Sequence, residues 1–295
     1  MNFKKTFPLI TFFVLISILV GCKQPSPIAQ NGPNETEPLE PSVSDLQILI
    51  ATNDLTVGTP RIPIIVQDGR NMTKSVMEIT LVVNDLTENL GELVWEGAAS
   101  NFSDYEIPYW VFYPEIDAAG NYAVTASILL ENGETIKHQF IVFIGEEAIA
   151  PAVGDAGIPS VSRTAFDAEA IKEISSDFQN VDSDLYQLTI AEALKNGRPT
   201  VISFSTPAFC ATAFCAPVLN TVKETKPEYT DFDYVHIEIY ADFETFEIHQ
   251  TIQEWRLQSE PWTYVLNADG IVTGRFGGPV SPSELANHLS QVRSQ

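Results

Sequence analysis

Cysteine, basic side chains and long apolar runs are all scarce in this chain of 295 residues. Sixteen Lys plus Arg stand against 39 Asp plus Glu, a net charge of -23, so phosphate backbones and anionic lipid surfaces are repelled rather than gathered. Nucleic acid is therefore excluded as a partner. The acidity is spread along the chain without a long acidic run, which fits a solvated surface better than a dedicated tail. The apolar stretch from Phe7 to Val20 is shorter than the roughly 20 residues that a spanning helix needs. Three cysteines, Cys22, Cys210 and Cys215, allow at most one intramolecular pair. What remains is 44% hydrophobic and 19% charged, an ordinary globular composition with length enough for two cores.

The N-terminus reads as a targeting segment. Lys4 and Lys5 precede the apolar stretch, and Leu19-Val20-Gly21-Cys22 ends it. That tetrapeptide resembles the bacterial lipobox. The resemblance implies cleavage after residue 21, a diacylglycerol on Cys22 and an extracytoplasmic protein anchored to a membrane, since paired acyl chains hold where one does not. An ordinary secretory signal or an uncleaved anchor is the plainer alternative. Residues 22–44, polar and rich in proline, then form a tether. With Cys22 lipidated, Cys210 and Cys215 are left as a pair in an oxidising compartment.

Residues 45–145 carry short apolar runs at 48–50, 62–66, 79–83, 93–95, 109–113, 122–130 and 140–144, with no helical stretch between them. In the longest, Tyr122, Val124, Ala126, Ile128 and Leu130 alternate with smaller or polar residues and place one face inward. Asn132-Gly133 turns the chain toward the next strand. This pattern predicts an all-β sandwich of immunoglobulin-like size. The aromatic group Tyr105, Tyr109, Trp110, Phe112 and Tyr113 is expected in its core or at a contact between domains rather than as a binding face. A Pro/Gly/Ala-rich linker follows at 146–165, and the periodicity then changes.

Within 166–295, Thr189-Ile-Ala-Glu192 predicts a capping box and Thr200–Ser205 a buried strand. The cysteine segment follows, opening a helix from Cys215. Tyr234–Tyr240 alternates as a strand, Asn267-Ala-Asp-Gly270 turns a hairpin, and Ser281-Pro-Ser-Glu284 predicts a second capping box with Leu285, Leu289 and Val292 buried behind it. Strand, cysteine pair at a helix start, strand, proline before a hairpin and a final helix together resemble the thioredoxin-like α/β order. The resemblance covers about residues 165 to 292. It implies thiol–disulfide exchange with protein substrates, Cys210 as nucleophile, Cys215 as resolving thiol and Pro261 as the cis-proline beside them. No cofactor and no metal is implied.

This chain departs from the thioredoxin pattern in three places. Four residues separate the cysteines instead of two. On a continuous helix, positions five apart lie roughly 8–9 Å from each other, whereas a disulfide needs Cα atoms within about 7 Å, so a bridge requires part of 211–214 to be looped. The strand before the pair, Val201-Ile-Ser-Phe204, lacks the buried acid that thioredoxins keep there, and Phe209 replaces the usual Trp.

Three other readings compete. A peroxiredoxin with the same spacing would want a Thr and an Arg where Pro207 and Trp262 stand. A Cu(I) site resembling the copper-assembly thioredoxin-like proteins would add His236, His249 or His288 to the thiols. A binding module would use the pair only as a structural staple, worth roughly 2–3 kcal/mol at most. Asp242, Glu244 and Glu247 read as an acidic, solvated loop.

Overall fold

The computed structural model describes residues 46–73 and 75–294. The expected signal segment (1–21), Cys22 and the expected tether (22–44) lie outside the described residues. Among the described residues, no helix is long and apolar enough to cross a membrane.

The chain is mostly β with few helices. Its first half begins with β1 (Leu46–Ile50), β2 (Ile62–Asp68), β3 (Asn71–Met72), β4 (Val76–Asp85) and β5 (Leu93–Ala98). It continues with β6 (Ser100–Phe102), β7 (Tyr109–Phe112), β8 (Gly120–Leu130) and β9 (Thr135–Ile144). Two antiparallel sheets result, one ordered β1-β2-β7-β6 with β3 beside β2, the other β5-β4-β8-β9. Their facing sides share one core. Ile62, Ile64 and Val66 from β2 and Trp110 and Phe112 from β7 meet Ile79, Leu81 and Val83 from β4 and Val124, Ala126 and Ile128 from β8. The period-two reading of 122–130 holds, with Tyr122 to Ile128 buried at every second position and Leu130 half-buried at the rim. Gly133 sits at φ 84° in the turn to β9, where a side chain would be strained.

The second half builds a sheet from β10 (Thr200–Phe204), β11 (Asp233–Ile237), β14 (Trp262–Leu266) and β15 (Val272–Gly277), ordered β11-β10-β14-β15. β10 and β11 run parallel, and the other neighbours are antiparallel. Helix α1 (Ile190–Ala193) starts with the predicted capping box, both of its bonds present. Helices α2 (Cys215–Thr225) and α4 (Pro282–Arg293) pack on the sheet through Val218, Leu219, Val222, Leu285 and Leu289. A small hairpin, β12 (Tyr240–Asp242) and β13 (Glu247–Ile248), precedes α3 (Gln250–Glu254).

Two local expectations change, and the linker stretch gains anchors. The 234–240 stretch is not one half-exposed strand: β11 is covered on both faces, the chain leaves the sheet at Glu238, and pairing resumes only in the hairpin. The second capping box is half-made. Ser281 Oγ accepts from Glu284 N–H at 3.2 Å, but Ser281 N–H donates to Tyr109 Oη at 2.7 Å and the Glu284 carboxylate turns to Arg61. Finally, the 146–165 stretch is fastened along its length. Ile149 and Ala150 N–H donate to the Asp54 carboxylate, and Gly157 N–H donates to the Gly270 carbonyl at 2.8 Å.

The described residues form one compact unit. Of the aromatic group, Trp110 and Phe112 lie in the two-sheet core, while Tyr109 joins Ile65, Ile107 and Val111 on the opposite face of β2 and β7. Phe214, from the cysteine segment, packs against that face. The sheet thus has its own core on one side and the second half of the molecule on the other.

Candidate functional site

Strand β10 ends at Phe204, and residues 205–214 carry the chain to α2 without helical structure. Cys215 is the first residue of the helix, and Phe214 is its N-cap. The looped segment required by the four-residue gap is therefore present, and Cys210 and Cys215 form a disulfide with Cα atoms 5.9 Å apart. Pro217 falls in the first helical turn, where a missing N–H costs nothing. The bridge is asymmetric: Cys215 is fully buried, whereas Cys210 is half-exposed beside exposed Ala211, Thr212 and Ala213.

The loop is held from several sides. Thr212 Oγ1 accepts from Phe214 N–H at 3.3 Å and lies 3.4 Å from Cys210 Sγ. Ala211 N–H donates to Glu260 Oε1 at 3.0 Å. Earlier in the loop, Ala208 N–H donates to Ser176 Oγ at 3.2 Å. The Glu260–Pro261 bond is cis, Pro261 is buried, and its carbonyl accepts from Gly278 N–H at 3.0 Å. Gly278, at φ 75°, approaches the Ala51 carbonyl so closely that a Cβ would collide with it. Ser259 Oγ also donates to Asn53 Oδ1 at 3.0 Å. The two-sheet half therefore braces both the proline loop and, through Phe214, the cysteine loop.

Sequence reasoning missed the acids of this region. Glu260 is half-buried, and its carboxylate and the two sulfurs all lie within 4.8 Å of one another. Some 45 residues separate it from Cys215, and only the fold brings them together. Glu238 is 4% exposed and accepts from Ser176 N–H at 2.6 Å and Ser176 Oγ at 3.0 Å. Burial pushes its carboxyl up to about 7, against the pull of those bonds. Through Ser176 it is tied to the turn that carries Ala208. The alternation of 234–240 gave no hint of this, because a pattern in one strand does not reveal whether both faces are covered.

The candidate histidines are used elsewhere. His236 is buried, with Nδ1 2.6 Å from Tyr186 Oη and Nε2 2.9 Å from Ser205 Oγ; burial lowers it to about 4 and keeps it neutral. His249 Nδ1 accepts from Thr251 N–H at 3.1 Å, capping α3. His288 Nε2 is 3.2 Å from Thr273 Oγ1. Among the described residues, the group at the sulfurs able to hold a metal ion is Cys210, Cys215 and Glu260, without a histidine. Asp242, Glu244 and Glu247 lie exposed on the hairpin, as read, with Asp242 Oδ1 accepting from the N–H groups of Glu244 and Thr245.

No family model matches the chain, and no curated protein matches it. Among solved structures, it is similar to a thiol:disulfide interchange protein of the thioredoxin family from Chlorobium tepidum TLS. That match has 15% identity over 40% of this chain and 94% of the other, at a TM-score of 0.30. It is also similar to CopC from Methylosinus trichosporium OB3b, with 18% identity over 32% of this chain and 85% of the other, at a TM-score of 0.25. The soluble domain of PmoD from Methylocystis sp. gives 10% identity over 34% of this chain and 89% of that one, at a TM-score of 0.24.

Proposed function

We propose that this chain is a thiol–disulfide exchange protein. Its second half is read as a thioredoxin-like domain, its first as an immunoglobulin-like sandwich, and Cys22 as the lipid anchor that keeps it outside the cytoplasm. The observation that carries the proposal is the asymmetry of the bridge, with Cys210 half-exposed and Cys215 sealed at a helix start. Exchange chemistry needs that arrangement. In the reduced protein the Cys210 thiolate attacks one sulfur of a substrate disulfide, forming a mixed disulfide and expelling the other substrate sulfur as a thiolate that takes up a proton. Cys215 then loses its proton and attacks Cys210 Sγ, releasing the second substrate thiol and restoring the internal bridge. The substrate gains two electrons and two protons, and the protein loses them. The same steps in reverse oxidise a dithiol.

Pro261 contributes position. Its carbonyl is already bonded to Gly278, so it fixes the loop that carries Glu260 beside the sulfurs. Substitution by serine tests the roles. Cys215→Ser should accumulate a mixed disulfide with a disulfide-bearing substrate, visible by non-reducing mass spectrometry, and Cys210→Ser should not; the opposite pattern would reverse the assignment. A bridge that resists a glutathione buffer, with a potential below about -300 mV, and that exchanges with nothing would mark a structural staple instead.

Glu260 favours a second reading. Two thiolates and a carboxylate suit a thiophilic or borderline ion in the reduced protein. Titrating the reduced chain with Zn(II) and Cu(I) against a competing chelator tests it. Stoichiometric binding weakened by Glu260→Gln would support a metal role, whereas binding indifferent to that change would leave the carboxylate out of it.

A further inference from the structure

At Phe209, the residue that directly precedes Cys210, three separate segments bring phenylalanines together. Phe209, the residue before Cys210, has its ring centroid 5.4 Å from Phe243, 5.4 Å from Phe246 and 6.3 Å from Phe178. Phe243 and Phe246 come from the tip of the hairpin, and Phe178 from the segment after Ser176. Tyr240 closes the far edge, 5.2 Å from Phe246. These rings interlock, yet they stay wet, with Phe178 57% and Phe246 49% exposed. An apolar cluster left in water forgoes roughly 25 cal/mol for every Å² that could have been buried, so its survival beside a reactive sulfur calls for an occupant.

The cluster is also built in place. Phe246 stands at φ 56°, a conformation seldom adopted by a bulky residue, and the hairpin turn that holds it is pinned by Asp242, whose carbonyl accepts from Phe246 N–H at 3.0 Å. The segment carrying Phe178 is anchored by an ion pair between Asp177 and Lys223 of α2 and by the Lys223 bond to the Asn180 carbonyl. Rigid aromatic anchors lose little conformational freedom when they bind.

Charge narrows the occupant. The hairpin carries Asp242, Glu244 and Glu247 and no Lys or Arg between Tyr240 and Ile248. We propose that this aromatic platform is the docking site for the substrate polypeptide, and that it selects segments in which the reacting cysteine is flanked by aromatic and basic residues. The inference rests on the exchange reading above and names the substrate class for the same site. An aromatic side chain of the partner would stack against Phe178 and Phe246, bringing its cysteine to Cys210, while Lys or Arg would face Glu244 and Glu247.

The test uses the reduced full chain and three probes. One is a peptide whose cysteine, joined in a mixed disulfide to glutathione, lies between Phe and Lys. The second is the same peptide with Ser and Glu in those places, and the third is glutathione disulfide. The wild type should react with the first peptide about tenfold faster than with the second, the worth of one good anchor. Phe178→Ser and Phe246→Ser, both at exposed positions, should remove that preference and leave the glutathione disulfide rate unchanged. Glu244→Lys with Glu247→Lys should cut the rate for the Lys-bearing peptide, and the loss should fade at high salt. Equal rates for the two peptides would overturn the platform while leaving exchange intact. Failure of all three probes would instead sink the exchange reading. Phe178-dependent binding to phosphatidylcholine vesicles, or Phe178-dependent self-association, without any peptide preference would assign the platform to lipid or to a second copy and overturn the proposal.

Discussion

At the scale of single residues, Glu260 changes what the sequence implies about proton handling. The strand before the cysteines carries no acid, but a carboxylate from the proline loop lies within 4.8 Å of both sulfurs and is partly open to solvent. A negative charge at that range opposes a thiolate by about 1 kcal/mol in a water-like dielectric and by more where water is excluded. Glu260→Gln should therefore raise the thiolate fraction of the reduced pair. Alkylation of Cys210 by iodoacetamide at neutral pH is expected to quicken about fivefold, the rate equivalent of that energy. An unchanged rate would mean that Glu260 points its charge away once the bridge opens.

At the scale of elements, β11 carries two buried titratable groups, one within the strand and one just past it, whose shifts oppose each other. Burial raises Glu238 to about 7, so the folded state holds its proton where the unfolded chain has lost it, and the associated stability is full at low pH and lost as pH rises toward 7. Burial lowers His236 to about 4, so the unfolded chain binds the extra proton and stability is gained as pH rises from about 4 to 6.5. Across the overlap the two slopes cancel. Glu238→Gln should unmask the rising limb, and the wild-type-minus-variant difference in urea-unfolding free energy should change by up to about 3 kcal/mol between pH 4.5 and 7. A difference that stays flat would mean that Glu238 is solvated. The strand itself was legible from its apolar residues, as were β8 and the looped segment before Cys215, because period two and helical rise are properties of the local chain. The burial of Glu238 and the company of Glu260 were not, since both depend on what other segments cover. Ser281-Pro-Ser-Glu284 marked the start of α4 correctly, yet its glutamate was claimed by a residue 223 positions away.

At the scale of the whole molecule, that distant claim joins the two halves. Arg61, from the start of the two-sheet half, donates to both oxygens of Glu284 at 2.7 and 2.8 Å and to the carbonyls of Gly277 and Pro279. Tyr109 and Tyr113 hydroxyls donate to the same carboxylate. Burial works against both charges, but each partner offsets it: Glu284 is held below the usual carboxylate range and Arg61 is more firmly protonated than usual. A second ion pair, Arg275 with Asp54, crosses the same boundary. Removing one partner of a buried pair leaves an uncompensated charge and costs about 3–5 kcal/mol. Arg61→Ala should therefore destabilise the entire compact unit rather than one half. Urea unfolding followed by fluorescence would show this, because Trp95 and Trp110 report on the first half and Trp255 and Trp262 on the second. With either tryptophan pair replaced by Phe, the remaining pair should report the same midpoint as circular dichroism of the same variant, and Arg61→Ala should lower the midpoint read by either pair. Arg61→Met combined with Glu284→Leu, which removes both charges at once, should recover most of the loss. Two separate transitions, with only one moved by Arg61→Ala, would show that the halves fold independently. The bracing of the cysteine loop through Phe214 and of the proline loop through Asn53 would then be a contact of convenience rather than part of how this chain positions its disulfide.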